Sequence, residues 1–332
     1  MDLNIIWFIL ITVLFTGFFI LEGFDYGVGI LMIGRPEKER SQLIRSIGPV
    51  WDANEVWMIT AGGATFAAFP HVYATMFSTF YLALFLMLLA LILRGVAFEL
   101  RGKIDRPDWK LFWDCAIIFG SLLPAILWGV AMANLLKGLP IDSEMHYLGN
   151  FFDLLSPYTL LAGIFFMLLF AFHGATFLMM RLADERMILD LRKKSACLGI
   201  SAWAVYLLFI IATVFETDVM SKMSGVIIFA SALGVLFSAW QFAKEYSQRS
   251  AFVCTTVVIA MTTLGLFVAL FPRLMVSSLN PEWSLTIYNA ASTQGTLLIM
   301  TVAAIIFVPI VLCYQYWTYK TFKARVSPAD VH

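Results

Sequence analysis

Charged residues are rare in this sequence. Only 13% of its 332 residues are Asp, Glu, Lys or Arg, whereas 61% are hydrophobic. Because a soluble domain carries about 25% charged residues, the composition excludes an ordinary soluble protein and predicts an all-α integral membrane protein. No Ser/Gly-rich linker or low-complexity stretch divides the chain, so a single membrane domain is expected over residues 1–332. The first residues lack the positive charge of a signal peptide, so the first apolar run should remain as a transmembrane helix.

Histidine and cysteine are also scarce, with four of each. Only His173 falls inside a long apolar run, because His71 and His146 lie in connections between runs and His332 ends the chain. One intramembrane histidine cannot provide both axial ligands of a bis-histidine haem. The cysteine spacings do not match a metal site. The sequence therefore predicts that the chain's own residues bind no haem and no metal.

Nine apolar runs are long enough to cross a membrane, which takes roughly 20 residues. They cover residues 5–31, 52–70, 75–98, 113–135, 157–180, 197–216, 223–243, 252–272 and 295–318. The second and third runs are expected to meet at a tight turn around Pro70 and His71. Residues 136–156 and 273–294 each hold a proline and polar side chains, which favours surface loops.

The Lys and Arg residues are distributed unevenly between the two sides of this predicted topology. All but Lys137, Lys222 and Arg273 of the 22 lie on one side. Cytoplasmic loops carry the excess of positive charge in membrane proteins. The distribution therefore predicts an odd number of spans, with the N-terminus outside and the C-terminus in the cytoplasm.

The ends of the first and fifth runs resemble each other. Residues 20–23 read Ile-Leu-Glu-Gly, and residues 171–174 read Ala-Phe-His-Gly. This predicts a four-helix unit used twice, over residues 1–135 and 157–272, with a ninth helix at residues 295–318. Chance similarity explains so short a match equally well.

Four carboxylates lie at the ends of two runs that should otherwise be apolar. Glu22 and Asp25 come near the end of the first run, and Asp52 and Glu55 begin the second. Within each pair the three-residue spacing places both acids on one helix face. Because an ionised carboxylate inside a bilayer costs ~3 kcal/mol or more, such acids face the bundle interior, pair with a cation or carry protons. The predicted topology puts all four toward the cytoplasmic side.

Arg94, within the third run, is the cation best placed by sequence to pair with Glu22 or Asp25. The alternative is that Arg94 extends to the membrane surface as an ordinary positive-inside residue. Asp25 comes at the C-terminal end of an apolar helix, where the helix dipole disfavours an anion. A buried carboxylate, either ion-paired or functional, is therefore the favoured interpretation for Asp25 and Glu22.

The other acids have simpler alternatives. Asp52 could serve as a helix N-cap, and Glu55 could be an ordinary acid of the first helical turn. Asp114 is expected to open the fourth span as a first-turn acid in the membrane interface, or to form an ion pair.

At these same residues the sequence resembles subunit II of the cytochrome bd quinol oxidases. Residues 22–29 read E-G-F-D-Y-G-V-G, similar to the family pattern D-G-F-D-x-G-x-G. Residues 51–57 read W-D-A-N-E-V-W, similar to W-D-G-N-x-V-W, and I-T-A-G-G-A follows at residues 59–64. The chain departs from the pattern at Glu22, where Asp is usual, and at Ala53, where Gly is usual. The resemblance extends over nearly the whole chain.

The resemblance implies a partner and a reaction. The partner, subunit I, would carry haem b and haem d, and the complex would oxidise quinol and reduce oxygen to water in the bacterial cytoplasmic membrane. This chain would scaffold subunit I and hold no catalytic centre itself. A bound quinone and a small single-span third subunit are further expectations, with no residue assigned to either. No nucleic-acid partner is expected.

The resemblance also gives the charged residues roles. Asp52 matches an acid on the family's proton path from the cytoplasm to the oxygen-reducing site. Asp25, Glu22 and Glu55 would belong to the same path, while Arg94 and Asp114 (outside the path) would be structural ion-pair residues.

Two other functions compete with this one. A proton-coupled secondary transporter would carry a polar site near the membrane midplane, on broken helices. Here the acids cluster at one edge and the centres of the runs are apolar. A scaffold with no chemistry would differ only in that Asp52 and its neighbours carry no protons.

Overall fold

The chain folds almost entirely into α-helices. The computed structural model describes residues 2–219, 222–245 and 247–330. Eleven α-helices lie in these residues: α1 Leu3–Ile30, α2 Glu37–Ile47, α3 Trp51–Ala68, α4 Pro70–Thr79, α5 Tyr81–Leu100, α6 Pro107–Lys137, α7 Pro157–Arg181, α8 Glu185–Glu216, α9 Met223–Lys244, α10 Gln248–Leu270 and α11 Gln294–Thr321. Two short strands, β1 Arg273–Met275 and β2 Leu285–Thr286, form an antiparallel pair.

Eight of the described helices are long and apolar enough to cross a membrane: α1, α5, α6, α7, α8, α9, α10 and α11. They coincide with eight of the nine predicted runs. The remaining run, residues 52–70, forms α3, which is shorter and carries Asp52, Asn54 and Glu55 in its first two turns. These polar residues lower the hydropathy of α3 below that of the other eight.

The predicted tight turn at Pro70 and His71 is wrong. Pro70 instead begins α4, and the third span begins at Tyr81 rather than at residue 75. A proline at the first helical position loses no hydrogen bond, because that N–H would be unpaired in any helix. Proline also disfavours the helical conformation of the residue before it, and Phe69, with φ −133° and ψ 68°, separates α3 from α4.

Helix α1 is central to the fold and contacts α3, α6, α7 and α10. Its closest neighbour is α7, the other helix of the predicted repeat. A Cβ atom built on Gly174 of α7 would lie 2.6 Å from the carbonyl carbon of Gly27 of α1. Small residues allow such close backbone approach between membrane helices. By contrast, α11 touches α1 and α3, and its apolar stretch is only 6% buried.

The two predicted surface loops pack on each other. Leu139 pairs with Ser277 in an isolated bridge, and the Ser277 hydroxyl donates to the carbonyl of Ile141 at 2.6 Å. Ile141 and Ile287 are fully buried. Residues 136–156 and 273–294 therefore form an ordered cap over one end of the helices.

Candidate functional site: a buried charged cluster

Two acids and one arginine are fully buried together between α1 and α5. Glu22 and Asp25 come from α1 and Arg94 comes from α5, and all three have no exposed surface. Nη1 of Arg94 donates to Oε1 of Glu22. The alternative in which Arg94 reaches the membrane surface is therefore wrong. Of its two predicted partners, Arg94 is hydrogen-bonded to Glu22.

Aromatic rings enclose the arginine. Its Cζ lies 5.0 Å from the ring centroid of Tyr26 and 5.5 Å from that of Phe98. A guanidinium at this distance from an aromatic face is attracted by the ring quadrupole. The rings thus hold the guanidinium in place while Glu22 neutralises its charge.

The cluster keeps unused hydrogen-bonding atoms. Among the described residues, no group is hydrogen-bonded to Oε2 of Glu22, to Oδ1 of Asp25, or to Nε and Nη2 of Arg94. Buried polar groups in proteins are normally satisfied by protein atoms or by internal water. These atoms are therefore available to hydrogen-bond with internal water.

Asn54 of α3 connects Asp25 to α11. Its Nδ2 donates to Oδ2 of Asp25 at 2.8 Å. Its Oδ1 accepts from the hydroxyl of Tyr319 at 2.8 Å and from Nε2 of Gln315 at 3.1 Å. Sequence reasoning missed all three residues. Asn54 lies within the motif at residues 51–57, but it is uncharged, and only the charged residues of that motif were predicted to belong to the site.

Asp52 and Glu55 flank Asn54 on the same helix. Asp52 is in the first turn of α3 and is exposed, whereas Glu55 is partly buried. The N-cap of α3 is Val50. The N-cap interpretation of Asp52 is therefore wrong, and Glu55 lies beyond the first turn. Helix α3 thus carries three neighbouring polar residues: an exposed acid, Asp52; a buried amide, Asn54, which contacts Asp25; and a partly buried acid, Glu55.

Asp114 belongs to a separate charged group. Helix α6 begins at Pro107, two turns earlier than predicted, so the expectation that Asp114 opens a span as a first-turn acid is wrong. Asp114 is fully buried. Its Oδ1 accepts from Nε of Arg101 at 2.5 Å, and its Oδ2 lies 3.2 Å from Nε of Arg40. Arg101 also donates to the hydroxyl of Ser41 at 3.0 Å. This group ties α2 to α6 and the end of α5.

His173 is buried in the second half of the chain, and both its ring nitrogens have partners. Nε2 lies 3.2 Å from the carbonyl oxygen of Ile20, so it carries the proton and donates. Nδ1 lies 2.7 Å from the Thr255 hydroxyl, which also donates to the carbonyl of Phe252 at 2.9 Å. The ring also stacks on Phe252, with centroids 4.7 Å apart. His173 is therefore surrounded by uncharged partners. His332 lies outside the described residues.

The fold and this cluster define a multi-pass helical membrane protein with buried acids near one end of its central helix. The chain matches the family of cytochrome bd terminal oxidase subunit II over residues 3–322. It is 40% identical over 330 residues to cytochrome bd ubiquinol oxidase subunit 2 of Bacillus subtilis (strain 168), covering 98% of this chain and 97% of that protein. It is 36% identical over 372 residues to cytochrome bd-I ubiquinol oxidase subunit 2 of Escherichia coli (strain K12), covering 99% and 96%.

A solved structure has the same fold. The bd oxidase from Geobacillus thermodenitrificans matches with a TM-score of 0.75 at 15% identity, over 97% of this chain and 99% of that chain. The chain belongs to the cytochrome bd terminal oxidase subunit II family, which confirms the resemblance seen in the sequence. It is a multi-pass protein of the bacterial inner membrane and a subunit of an oxidoreductase complex.

Proposed function

We propose that this chain scaffolds the haem-bearing subunit I of a quinol:oxygen oxidoreductase and provides the path by which protons enter from the cytoplasm. Two relatives are named as ubiquinol oxidase subunits, which supports quinol as the electron donor of the complex. Haem b and haem d would reside in subunit I, where oxygen is reduced to water. A bound quinone and a small third subunit stay predictions without assigned residues.

One observation carries the proton path: the buried acids are incompletely paired. Glu22 and Asp25 each keep one carboxylate oxygen without a protein partner among the described residues. A purely structural ion pair gains most when every donor and acceptor is satisfied. Ionisable groups inside a membrane protein generally mark ion or proton pathways. Two fully buried acids, each with one oxygen able to accept from internal water, therefore support a proton path.

The order of burial along α3 suggests a direction for the transfer. Asp52 is exposed and Glu55 is partly buried, and three-residue spacing puts them on one helix face. Protons would enter at Asp52, pass Glu55 and reach Asp25 and Glu22 near the centre of the fold. Arg94 would keep the buried acids from accumulating net negative charge, and Asp114 would hold the cytoplasmic ends of α2 and α6 together.

The proposed topology has nine spans, counting α3 with the eight apolar helices. Helices α1, α3, α5 and α6 would form the first four-helix unit (1–135), α7 to α10 the second (157–272), and α11 the ninth helix (295–318). The excess of Lys and Arg on one side of this topology supports an outer N-terminus and a cytoplasmic C-terminus.

A proton-coupled secondary transporter is less well supported. Transporter sites use discontinuous helices near the membrane midplane. Each apolar helix in the described part of the chain is continuous, including α6 and α11, which contain Pro124 and Pro309.

The test is oxygen consumption by the purified complex carrying Asp52→Asn. We expect turnover to fall several-fold with haem content unchanged, because the variant removes the first proton acceptor and leaves the buried cluster intact. Asp108→Asn is the matched control, since Asp108 is also a first-turn acid and its side chain is 90% exposed. Full turnover of a fully haem-loaded D52N complex would favour the pure scaffold instead.

A further inference from the structure

We propose that α11 positions the buried carboxylate of Asp25 through Asn54, which makes Tyr319, Gln315 and Asn54 positioning residues. The inference rests on the proposed function only for the role it gives Asp25 in proton transfer. The positioning itself rests on hydrogen bonds between α1, α3 and α11.

The orientation of the Asn54 carboxamide is determined by its neighbours. A carboxamide has one oxygen that accepts and one nitrogen that donates. The oxygen receives two donors from α11, Tyr319 and Gln315, and the nitrogen faces the Asp25 carboxylate and, at 3.5 Å, the carbonyl of Leu21. Rotating the amide by half a turn would face its nitrogen toward the Gln315 nitrogen and its oxygen toward the carboxylate. Both contacts would be repulsive, so the two α11 donors keep an N–H directed at Asp25.

Helix α11 is otherwise weakly embedded in this chain. Phe307 and Ile310 in its middle are 62% and 58% exposed. Near its outer end, Nε1 of Trp7 donates to the carbonyl of Leu297 at 3.2 Å and to the Thr301 hydroxyl at 3.0 Å. Near its inner end, Gln315 and Tyr319 are four residues apart and thus share a face. Hydrogen bonds at the two ends therefore fix a helix whose middle is exposed.

Asp25 depends on this contact. The side chain is fully buried, and its other oxygen, Oδ1, has no protein partner within the described ranges. A hydrogen bond to a buried carboxylate is stronger than a neutral one. If the Tyr319 hydroxyl is removed, Gln315 is the one α11 donor left on the amide oxygen, and the N–H is directed at Asp25 for less of the time. The hydrogen bonding of the Asp25 carboxyl should therefore change when the Tyr319 hydroxyl is removed, although that hydroxyl lies on a different helix and does not touch Asp25.

The experiment uses the purified complex carrying Tyr319→Phe. Infrared difference spectra identify the carboxyl band of Asp25 as the band that is lost in Asp25→Asn. We expect that band to shift in Y319F and to shift further in the double variant Y319F/Q315L, with oxygen consumption reduced two- to tenfold in both. Tyr316→Phe is the control, because Tyr316 is on the same helix and is 70% exposed. It should leave both the band and the turnover unchanged.

The two measurements separate this inference from the proposed function. An unshifted Asp25 band in Y319F/Q315L, together with slow turnover in D25N, would overturn the positioning by α11 and leave the proton path standing. A shifted band together with wild-type turnover in D25N would support the positioning and remove Asp25 from the path. If Y319F assembles poorly, Gln315→Leu removes the other donor while keeping the bulk of the side chain, and the same band decides the result.

Discussion

Glu22 of α1 and His173 of α7 are buried polar residues that each precede a glycine, but their partners differ in charge. In α1, Glu22 precedes a glycine and pairs with Arg94. In α7, His173 precedes Gly174 and is hydrogen-bonded to the Thr255 hydroxyl and to a backbone carbonyl. The two helices cross in direct backbone contact between Gly27 and Gly174. A buried polar residue beside a glycine therefore forms an ion pair in α1, whereas in α7 it is hydrogen-bonded to uncharged groups.

This difference extends through each half. In the described chain every buried charged side chain precedes residue 135: Glu22, Asp25, Arg35, Arg94, Arg101 and Asp114. The second half satisfies its buried polar groups with neutral pairs, such as the hydroxyls of Tyr206 and Thr262 at 3.0 Å and those of Tyr158 and Thr213 at 3.1 Å. Neutral pairs stabilise packing at low desolvation cost, whereas buried charges are expensive. The costly buried charges therefore lie in the same part of the chain as the proposed proton path.

The largest expected effect comes from removing the cation of the first half. Arg94→Met leaves the buried carboxylate of Glu22 without its partner. Breaking a buried ion pair in this way typically costs about 3–5 kcal/mol. We therefore expect the yield of haem-loaded complex to fall severely, measured by haem absorbance per unit of purified protein.

A double variant distinguishes lost pairing from lost packing. Glu22→Gln combined with R94M removes both charges and should recover most of the yield, because no uncompensated charge of the pair remains. Arg106→Met serves as the surface control, since the Arg106 side chain is 72% exposed. Normal assembly of R94M alone would show that the ion pair contributes little and would weaken the contrast between the halves.

The long apolar helices could be predicted from the sequence because hydropathy reports directly on residues that enter the bilayer. The same measure misplaced the start of α6, since its first two turns, from Pro107, are polar and hydropathy does not detect them. It also missed α4, because a proline that begins a helix looks in sequence like a proline in a turn. The first error arises where helix continues outside the apolar run, and the second arises where one predicted run holds the end of one helix and the start of another.

The charged part of the site was also accessible from sequence. Acids and an arginine inside apolar runs are rare enough to suggest each other as partners. The link from Tyr319 to Asn54 was not accessible, because the two residues are 265 positions apart and neither is charged. Nor did the sequence connect Arg40 and Arg101 with Asp114, since loop arginines are expected in any cytoplasmic connection. Tertiary pairing of uncharged or loop residues leaves no pattern that one sequence can reveal.

A smaller effect is expected at His173, whose buried partners are uncharged. His173→Gln retains a donor and an acceptor at the buried position. The glutamine side chain has a different shape from the imidazole ring, so one of the two hydrogen bonds should be lost, at a cost of about 1 kcal/mol. We therefore expect a small drop in thermal midpoint, with oxygen consumption and haem content within about twofold of wild type. E22Q, measured alongside, should slow turnover more than H173Q. A loss of haem or of turnover in H173Q would instead show that the second half contributes chemistry, and the contrast between the two halves would fail.

The smallest effect is expected from the charges that the second half does carry, which lie at its surface. Arg273 donates hydrogen bonds to Asp218 (Nη2–Oδ1 2.9 Å), and this holds the pKa of that carboxyl below its ordinary value of 3.8. A depressed carboxyl pKa stabilises the fold above the unfolded-state pKa, and the stabilisation is lost as the pH falls through the folded-state pKa. Because the Asp218 side chain is 52% exposed, solvent screening limits the gain to ~0–1 kcal/mol.

Asp218→Asn should therefore lower the thermal midpoint by about 2 °C or less. The gap from wild type should be constant above about pH 4 and narrow below it. A failure of D218N to assemble at neutral pH would mean that this outer pair matters to the second half as much as Arg94 matters to the first. In that case the degree of burial would not determine which charged residues of this protein are important for assembly.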